Sequence, residues 1–137
     1  MSSVALRLGT ATIGSGALLA CALACGTGAS PVRVPNGDWG GPGVQLLVND
    51  QGATIEFDCA HGTLEAPLDL DSQGRFDVPG RFTREGGPEG EGELGQPVRY
   101  SGKADGKELT LEIVFPGDRL GPYALFFGRS SRLFKCK

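Results

Sequence analysis

The feature that most constrains this sequence is a repeated alternation of apolar and polar residues in short segments from Val44 onward. Ile55, Phe57 and Cys59, for example, are spaced two apart, and polar residues separate them. Successive side chains of a β-strand point to opposite faces, so a period of two is typical of a strand with one buried face. No segment after Cys25 shows the period of a helix. The body of the chain is therefore predicted to be all-β.

Turn residues divide the alternating segments into seven or eight short strands, at a spacing of roughly ten residues. The strongest turn signal is Asp105-Gly106, which favours a tight hairpin between residues 98–104 and 108–115. Residues 123–127 and 132–136 are predicted as the last two strands. This pattern predicts a small antiparallel meander closed into a barrel, with a β-sandwich as the alternative. Closure would remove the unpaired edges that make open sheets prone to aggregation.

The first half of the body carries weaker signals. Residues 37–43 are rich in glycine, and we predict a turn there with Trp39 inside it. His61-Gly62 is predicted to end the strand that contains Cys59. Residues 63–70 are predicted as an edge strand, because Pro67 cannot donate a ladder hydrogen bond.

The N-terminus has the pattern of a secretory signal over residues 1–24. Arg7 supplies positive charge, residues 8–23 carry none, and Ala22-Leu23-Ala24 offers small residues for cleavage. The alternative is a single membrane-spanning helix, but three glycines interrupt a stretch that is already short for that role. Residues 25–36 are predicted as a flexible tether, and residues 37–137 as the β-barrel-like domain.

Two short motifs at the end of this signal resemble the lipobox of bacterial lipoproteins. They are Leu18-Leu19-Ala20-Cys21 and Ala22-Leu23-Ala24-Cys25. The resemblance implies cleavage before the cysteine and attachment of lipid to it. Lipidation of Cys25 removes Cys21 with the signal and leaves an even number of cysteines in the body, so Cys25 is the predicted lipidation site and Cys21 the alternative. Cleavage without lipid attachment is a second alternative.

The two remaining cysteines, Cys59 and Cys136, are predicted to form a disulfide. Disulfides persist in exported proteins, which agrees with the signal segment. The alternation places both sulfurs on the predicted core side, where the bridge would tie the second strand to the last. The structural alternative is a pair of buried free thiols.

The composition excludes several classes of function. The formal net charge is −3, which argues against a nucleic-acid partner. The chain contains one histidine and four cysteines, too few in the body for a structural zinc site, so no metal and no cofactor is predicted. Residues 69–74 have the oxygen-rich start of a calcium loop, but Gly80 stands where its glutamate should be, and a hairpin turn is favoured.

One segment, residues 58–62, resembles a thiol active site because Cys59 and His61 project from one side of a strand. An exported cysteine with an available partner is oxidised more readily than it is kept as a thiolate, so no catalytic residue is assigned. The candidate ligand pocket consists of aromatic residues, which small barrels use around apolar ligands. Its predicted members are Trp39, Tyr100, Tyr123 and Phe127, and Phe126 is a further aromatic residue considered for it.

Gly37-Asp38-Trp39 near the first strand, together with a cysteine paired to one at the C-terminus, resembles lipocalin-like barrels, including bacterial lipoproteins of that class. Residues 52–62 and 133–136 also resemble uncharacterised bacterial exported proteins, and no known activity comes with that resemblance. The expected function is a non-enzymatic binding or structural module of the cell envelope. It would be an outer-membrane or periplasmic lipoprotein, held at the membrane by its lipid, or alternatively secreted. Its partner would be a small apolar ligand or an envelope protein.

The alternatives are a secreted protease inhibitor and, less favoured, a thiol- or metal-dependent enzyme.

Overall fold

A computed structural model of the chain describes residues 32–86 and 95–136, together with Gly9 and Gly14. These residues form eight antiparallel strands, each paired with its neighbour in the chain, and β1 pairs with β8 to close a barrel. The predicted all-β barrel is confirmed, and the sandwich alternative is excluded. The strands are β1 (Gly37–Gly41), β2 (Val44–Asn49), β3 (Gly52–Phe57), β4 (Ala60–Leu64), β5 (Arg75–Arg84), β6 (Gln96–Ala104), β7 (Glu108–Phe115) and β8 (Asp118–Phe127).

The closing seam of the barrel lies in the segment that was predicted as a turn. Trp39 pairs with Phe127 and Gly40 with Phe126, so the glycine-rich segment contains strand β1. The prediction failed because glycine is depleted in most strands. Here the absence of a side chain is required, since a methyl group at Gly40 would overlap the carbonyl of Arg129. The indole of Trp39 is buried, and its Nε1 donates to the Pro35 carbonyl at 3.0 Å.

The hairpin around Asp105-Gly106 is confirmed, because β6 and β7 pair from Arg99 with Val114 to Ala104 with Leu109. Two other boundaries differ from the prediction. The turn after β3 consists of residues 58–59, and His61 and Gly62 lie inside β4. Strand β4 ends at residue 64 and has a neighbour on each side, so it is not an edge strand.

Inward-facing side chains fill the middle of the barrel. Tyr100 crosses the interior above Gly62 and Gly80, where a methyl group on either glycine would overlap its ring or hydroxyl. The phenol donates to the Arg81 carbonyl at 2.6 Å. Burial raises the pKa of Tyr100, and the charge of Glu65 adds to the effect. The largest fully buried side chains are Trp39, Tyr100, Leu46, Ile55, Leu68, Leu109, Leu111, Ile113 and Leu125.

The lower end of the barrel, formed by residues 32–36, the 65–74 loop and the 50–51 and 105–107 turns, is plugged. Val34 and Leu68 are buried there. Val34 N donates to the Leu68 carbonyl at 3.0 Å, and Leu70 N donates to the Val32 carbonyl at 2.7 Å. Residues 32–36, the last part of the segment predicted as a flexible tether over residues 25–36, therefore dock on the barrel, and residues 25–31 of that segment lie outside the described residues. The reason is that Val34 has an apolar site to fill between the strand ends.

The segment 129–136, called the C-terminal strap below, has no regular secondary structure and corrects the predicted strand at residues 132–136. It folds back after β8 and runs outside the barrel toward the opposite end. Ser131 Oγ donates to the Gly41 carbonyl at 2.6 Å, and Phe134 N donates to the Asp58 carboxylate at 2.8 Å. The strap cannot extend the sheet, because β8 is already paired on both sides.

Candidate binding site

The upper end of the barrel holds a recess of about 390 Å³, within the range of small ligand sites. This end is formed by the 42–43, 58–59 and 116–117 turns and by the last residues of β5. Phe57 ends β3 and Phe82 lies near the end of β5, so the strand alternation turns both rings toward the barrel axis at this level. The main lining residues are Gly43, Phe57, Asp58, Phe82, Arg84 and Tyr123.

An aromatic cluster forms the floor of the recess. The Phe57 ring lies 5.2 Å from Tyr123 and 6.0 Å from Phe82, measured between ring centres, and Phe82 lies 5.2 Å from Phe115 in an edge-to-face contact. Such edge-to-face pairs are favourable because the positive ring edge meets the negative ring face. Tyr123 is half-buried, and desolvation raises the pKa of its phenol. Phe57 and Phe82 are buried and meet the recess only along their exposed edges, so Tyr123 supplies most of the accessible apolar surface of this preformed floor.

Two charged side chains flank this floor. The Arg84 guanidinium carbon lies 5.9 Å from the centre of the Phe82 ring, close enough for a cation–π contact. Asp58 lies in the turn between β3 and β4, and its Oδ1 accepts the Phe134 backbone N–H. The recess therefore combines an apolar floor with a cationic and an anionic group at its edge.

The disulfide between Cys59 and Cys136 stands at the edge of the same recess, and the predicted pairing is confirmed. Its predicted position is wrong, because both cysteines are exposed and the bridge joins a turn to the C-terminal strap. The strand alternation places Cys59 on the core-facing side only if β3 continues through residue 59. In the structure β3 ends at Phe57, and Cys59 lies in the following turn. Barrel closure comes from the β1–β8 seam and not from the bridge.

Lys135 fastens the strap beside the disulfide. Its Nζ donates to the Glu56 carboxylate at 2.8 Å, the Phe57 carbonyl at 2.9 Å and the Glu85 carboxylate at 2.5 Å. Desolvation by itself lowers the pKa of Lys135, but the hydrogen bonds and charges of Glu56 and Glu85 outweigh it and leave the pKa raised. The strap is therefore held by a covalent bond, an ion-pair cluster and backbone hydrogen bonds within a few residues of one another.

The structure does not bring the predicted pocket residues together. Trp39 and Tyr100 are fully buried in the filled interior. Phe127 contacts Trp39 at 5.1 Å near the lower end, and Phe126 stacks under the Arg129 guanidinium at 4.5 Å. Tyr123 alone reaches the recess. Sequence reasoning missed Phe57 and Phe82, although their positions just before turns were a signal that they lie at a barrel end.

The resemblance of residues 58–62 to a thiol active site does not lead to one. The Cys59 sulfur is bonded to Cys136, so it is not a thiolate. His61 projects from β4 toward Glu85, with Nδ1 3.7 Å from Oε1. Among residues 32–86 and 95–136, no three His, Cys, Asp or Glu side chains are grouped so that they could hold a metal ion.

The segment considered as a calcium loop is a local turn. Asp71 Oδ1 accepts the backbone N–H groups of Arg75 at 2.9 Å and Gln73 at 2.8 Å, and these bonds lower the pKa of the carboxyl group. Asp69 pairs with Arg33 across the lower end. These contacts occupy the oxygens that a calcium loop would turn inward.

A second hollow of about 750 Å³ lies on the outer wall near the lower end. Its lining is largely charged and polar, including Asp71, Arg75, Lys103 and Glu112. A third hollow, of about 500 Å³, lies at the lower end beside Val32, Pro35 and Leu70. The upper recess differs from both in the three aromatic side chains that line it, and aromatic linings are typical of ligand sites.

The predicted lipidation site, Cys25, and its alternative, Cys21, lie outside the described residues, as do the signal segment's remaining features apart from Gly9 and Gly14. Within the described part of the chain, no helix has the length and apolar character needed to cross a membrane. No protein-family model, curated protein sequence or solved structure matches this chain.

Proposed function

We propose that this protein is an exported, non-enzymatic binding module of the cell envelope, and that its upper recess receives an apolar group of a ligand or partner. The observation that carries the proposal is the aromatic floor of Phe57, Phe82 and Tyr123, which lies at the upper end of a barrel whose interior is otherwise filled by side chains. Covering exposed apolar surface in such a concave, preformed site is favourable by about 25 cal/mol per Å² of surface removed from water.

The exposed disulfide supports the exported location in this proposal. A surface bridge is reduced in the cytosol and persists in oxidising compartments. The proposal includes lipid attachment at Cys25. The position of Val32 then indicates which end of the barrel would face the membrane. Residue 32 lies at the lower end, so a barrel held by its N-terminus presents the recess on the side away from that attachment.

The proposal is tested with indole as a small aromatic probe and two matched variants. Tyr123→Ser removes part of the recess floor, while Phe127→Ser removes a partly exposed aromatic side chain at the lower end. Losing about 1 kcal/mol of apolar contact corresponds to roughly fivefold weaker binding, which we expect for Tyr123→Ser. We expect the Phe127→Ser protein to bind indole as the parent does. Equal weakening in both variants would show that the recess is not the site.

A further inference from the structure

The rim of the upper recess carries charges of both signs, because Arg84 and Asp58 are both among its lining residues. Within residues 32–86 and 95–136, neither Arg84 nor Arg132 has a carboxylate partner, whereas Arg99 and Arg119 each form an ion pair at 2.7–2.8 Å. Arg84 lines the recess itself. Arg132 lies on the strap between Ser131, which is bonded to Gly41, and Phe134, which is bonded to Asp58, so it belongs to the same end of the barrel.

The strap also carries an exposed aromatic side chain, Phe134, two residues after Arg132. Phe134 is 71% exposed, although its backbone is bonded to Asp58 and its neighbours are held by the Lys135 cluster and the disulfide. Aromatic residues, phenylalanine included, are enriched in protein–protein interfaces relative to the rest of the surface. Because the strap is already fixed, little conformational entropy is lost when a partner covers Phe134.

The shape of this region favours a macromolecular occupant. The recess opens at the end of the barrel, whereas small-molecule sites bury most of their ligand. Phe134 is exposed and is not among the residues that line the recess, so a small ligand in contact with Phe57 and Phe82 gains nothing from it. A partner that spans both features must be larger than a single ring.

We infer that the occupant is a segment of another protein that places an aromatic or aliphatic side chain in the recess and an acidic residue beside Arg84 and Arg132. This inference rests on the proposed function and adds the class of partner. Rim charges of opposite sign set the register of such an interface and speed association more than they strengthen it.

The test uses three synthetic peptides with one central phenylalanine, flanked on both sides by glutamates, by lysines or by serines. Binding to the full-length protein is followed by NMR at low and at raised salt. We expect the glutamate peptide to bind more tightly than the lysine peptide by roughly tenfold at low salt, and by less at raised salt. Its binding should shift the amide signals of residues 82–84 and 132–134.

Two pairs of variants separate the site from general charge and hydrophobicity. Arg84→Glu and Lys107→Glu change the net charge equally, but Lys107 lies in the lower-end turn. Phe134→Ala and Val32→Ala shorten side chains of similar exposure at opposite ends. Only the upper-end member of each pair should weaken the glutamate peptide, by about fivefold for a loss near 1 kcal/mol.

The outcomes distinguish this inference from the proposed function. Equal binding of the glutamate and lysine peptides would overturn the inference that the partner is acidic, while the proposal of an apolar binding site would stand. Binding of indole without binding of any peptide would overturn the protein partner in favour of a small ligand, and self-association through Phe134 would replace it with a second copy. If neither indole nor any peptide bound, the proposed function would fall as well.

Discussion

Replacing both Cys59 and Cys136 with serine removes the covalent link between the strap and the β3–β4 turn, while every strand pair of the barrel stays in place. The bridge joins positions 77 residues apart. In the chain-entropy description of disulfides, closing a loop of that length restricts the unfolded chain by about 4.5 kcal/mol. We therefore expect the double variant to lose close to that amount of unfolding free energy.

This loss leaves a folded barrel, because small domains are stable by roughly 5–15 kcal/mol and the β1–β8 seam does not depend on the bridge. The expected fall in melting temperature is roughly 20–35 °C for a domain of this size. Far-UV circular dichroism of the variant in buffer should keep its β signal.

The assay is urea unfolding followed by the fluorescence of Trp39, the single tryptophan of the chain, which is fully buried in the native state. Lys135→Met is the matched control, because it loosens the strap without opening the covalent loop. A loss below about 1 kcal/mol in the double variant would refute the entropic reasoning. Loss of the β signal in buffer would refute the claim that the seam alone closes the barrel.

Three further predictions concern the core, the phenols and the strap. Gly62→Ala should destabilise the barrel by about 1–3 kcal/mol in urea unfolding, because the added methyl group overlaps the Tyr100 hydroxyl. The control, Thr63→Ala on the exposed face of the same strand, should cost far less. Desolvation by burial raises the pKa of both Tyr100 and Tyr123. Both phenols therefore contribute stability below the ordinary tyrosine pKa of about 10, and this stability is lost as the pH rises through their raised pKa values in the folded protein. Tyrosinate absorbance should therefore appear above pH 10 and coincide with unfolding for Tyr100; normal titration of both phenols in an intact barrel would contradict this. Because the pKa of Lys135 is raised, the ion-pair cluster should hold the strap below pH 10 and release it as the pH rises through that pKa. At neutral pH, Lys135→Met should speed tryptic cleavage after Arg132. An unchanged cleavage rate would show that Lys135 does not hold the strap.

The strand pattern was predictable where one face of a strand is buried and a strong turn follows it. Strands β2, β3 and β7 alternate regularly between buried and more exposed residues, and Asp105-Gly106 marks the hairpin in one short motif. Strand β1 was missed because its glycines serve contacts made by distant parts of the chain, such as Gly40 against Arg129. A local pattern contains no information about those contacts.

The end of the chain was predicted incorrectly for a topological reason. Residues 132–136 alternate like a strand, but a closed barrel has no edge left for them to pair with. The recess was missed because aromatic residues alone do not reveal their height along a barrel. Trp39 and Tyr100 lie where side chains fill the interior, and Phe57 and Phe82 lie where the interior ends. The disulfide pairing was predictable from cysteine parity, and its surface position depended on where β3 stops.

The central claim is that the upper end of the barrel is the binding surface, and NMR mapping of indole on the unmodified protein tests it most directly. The account predicts shifts of the amide signals of Gly43, Phe82, Arg84 and Tyr123, with those of Val34, Leu68 and Gly106 at the lower end unchanged. Shifts concentrated at the lower end or on the outer wall near Asp71 and Lys103, or no shifts at saturating indole, would contradict it.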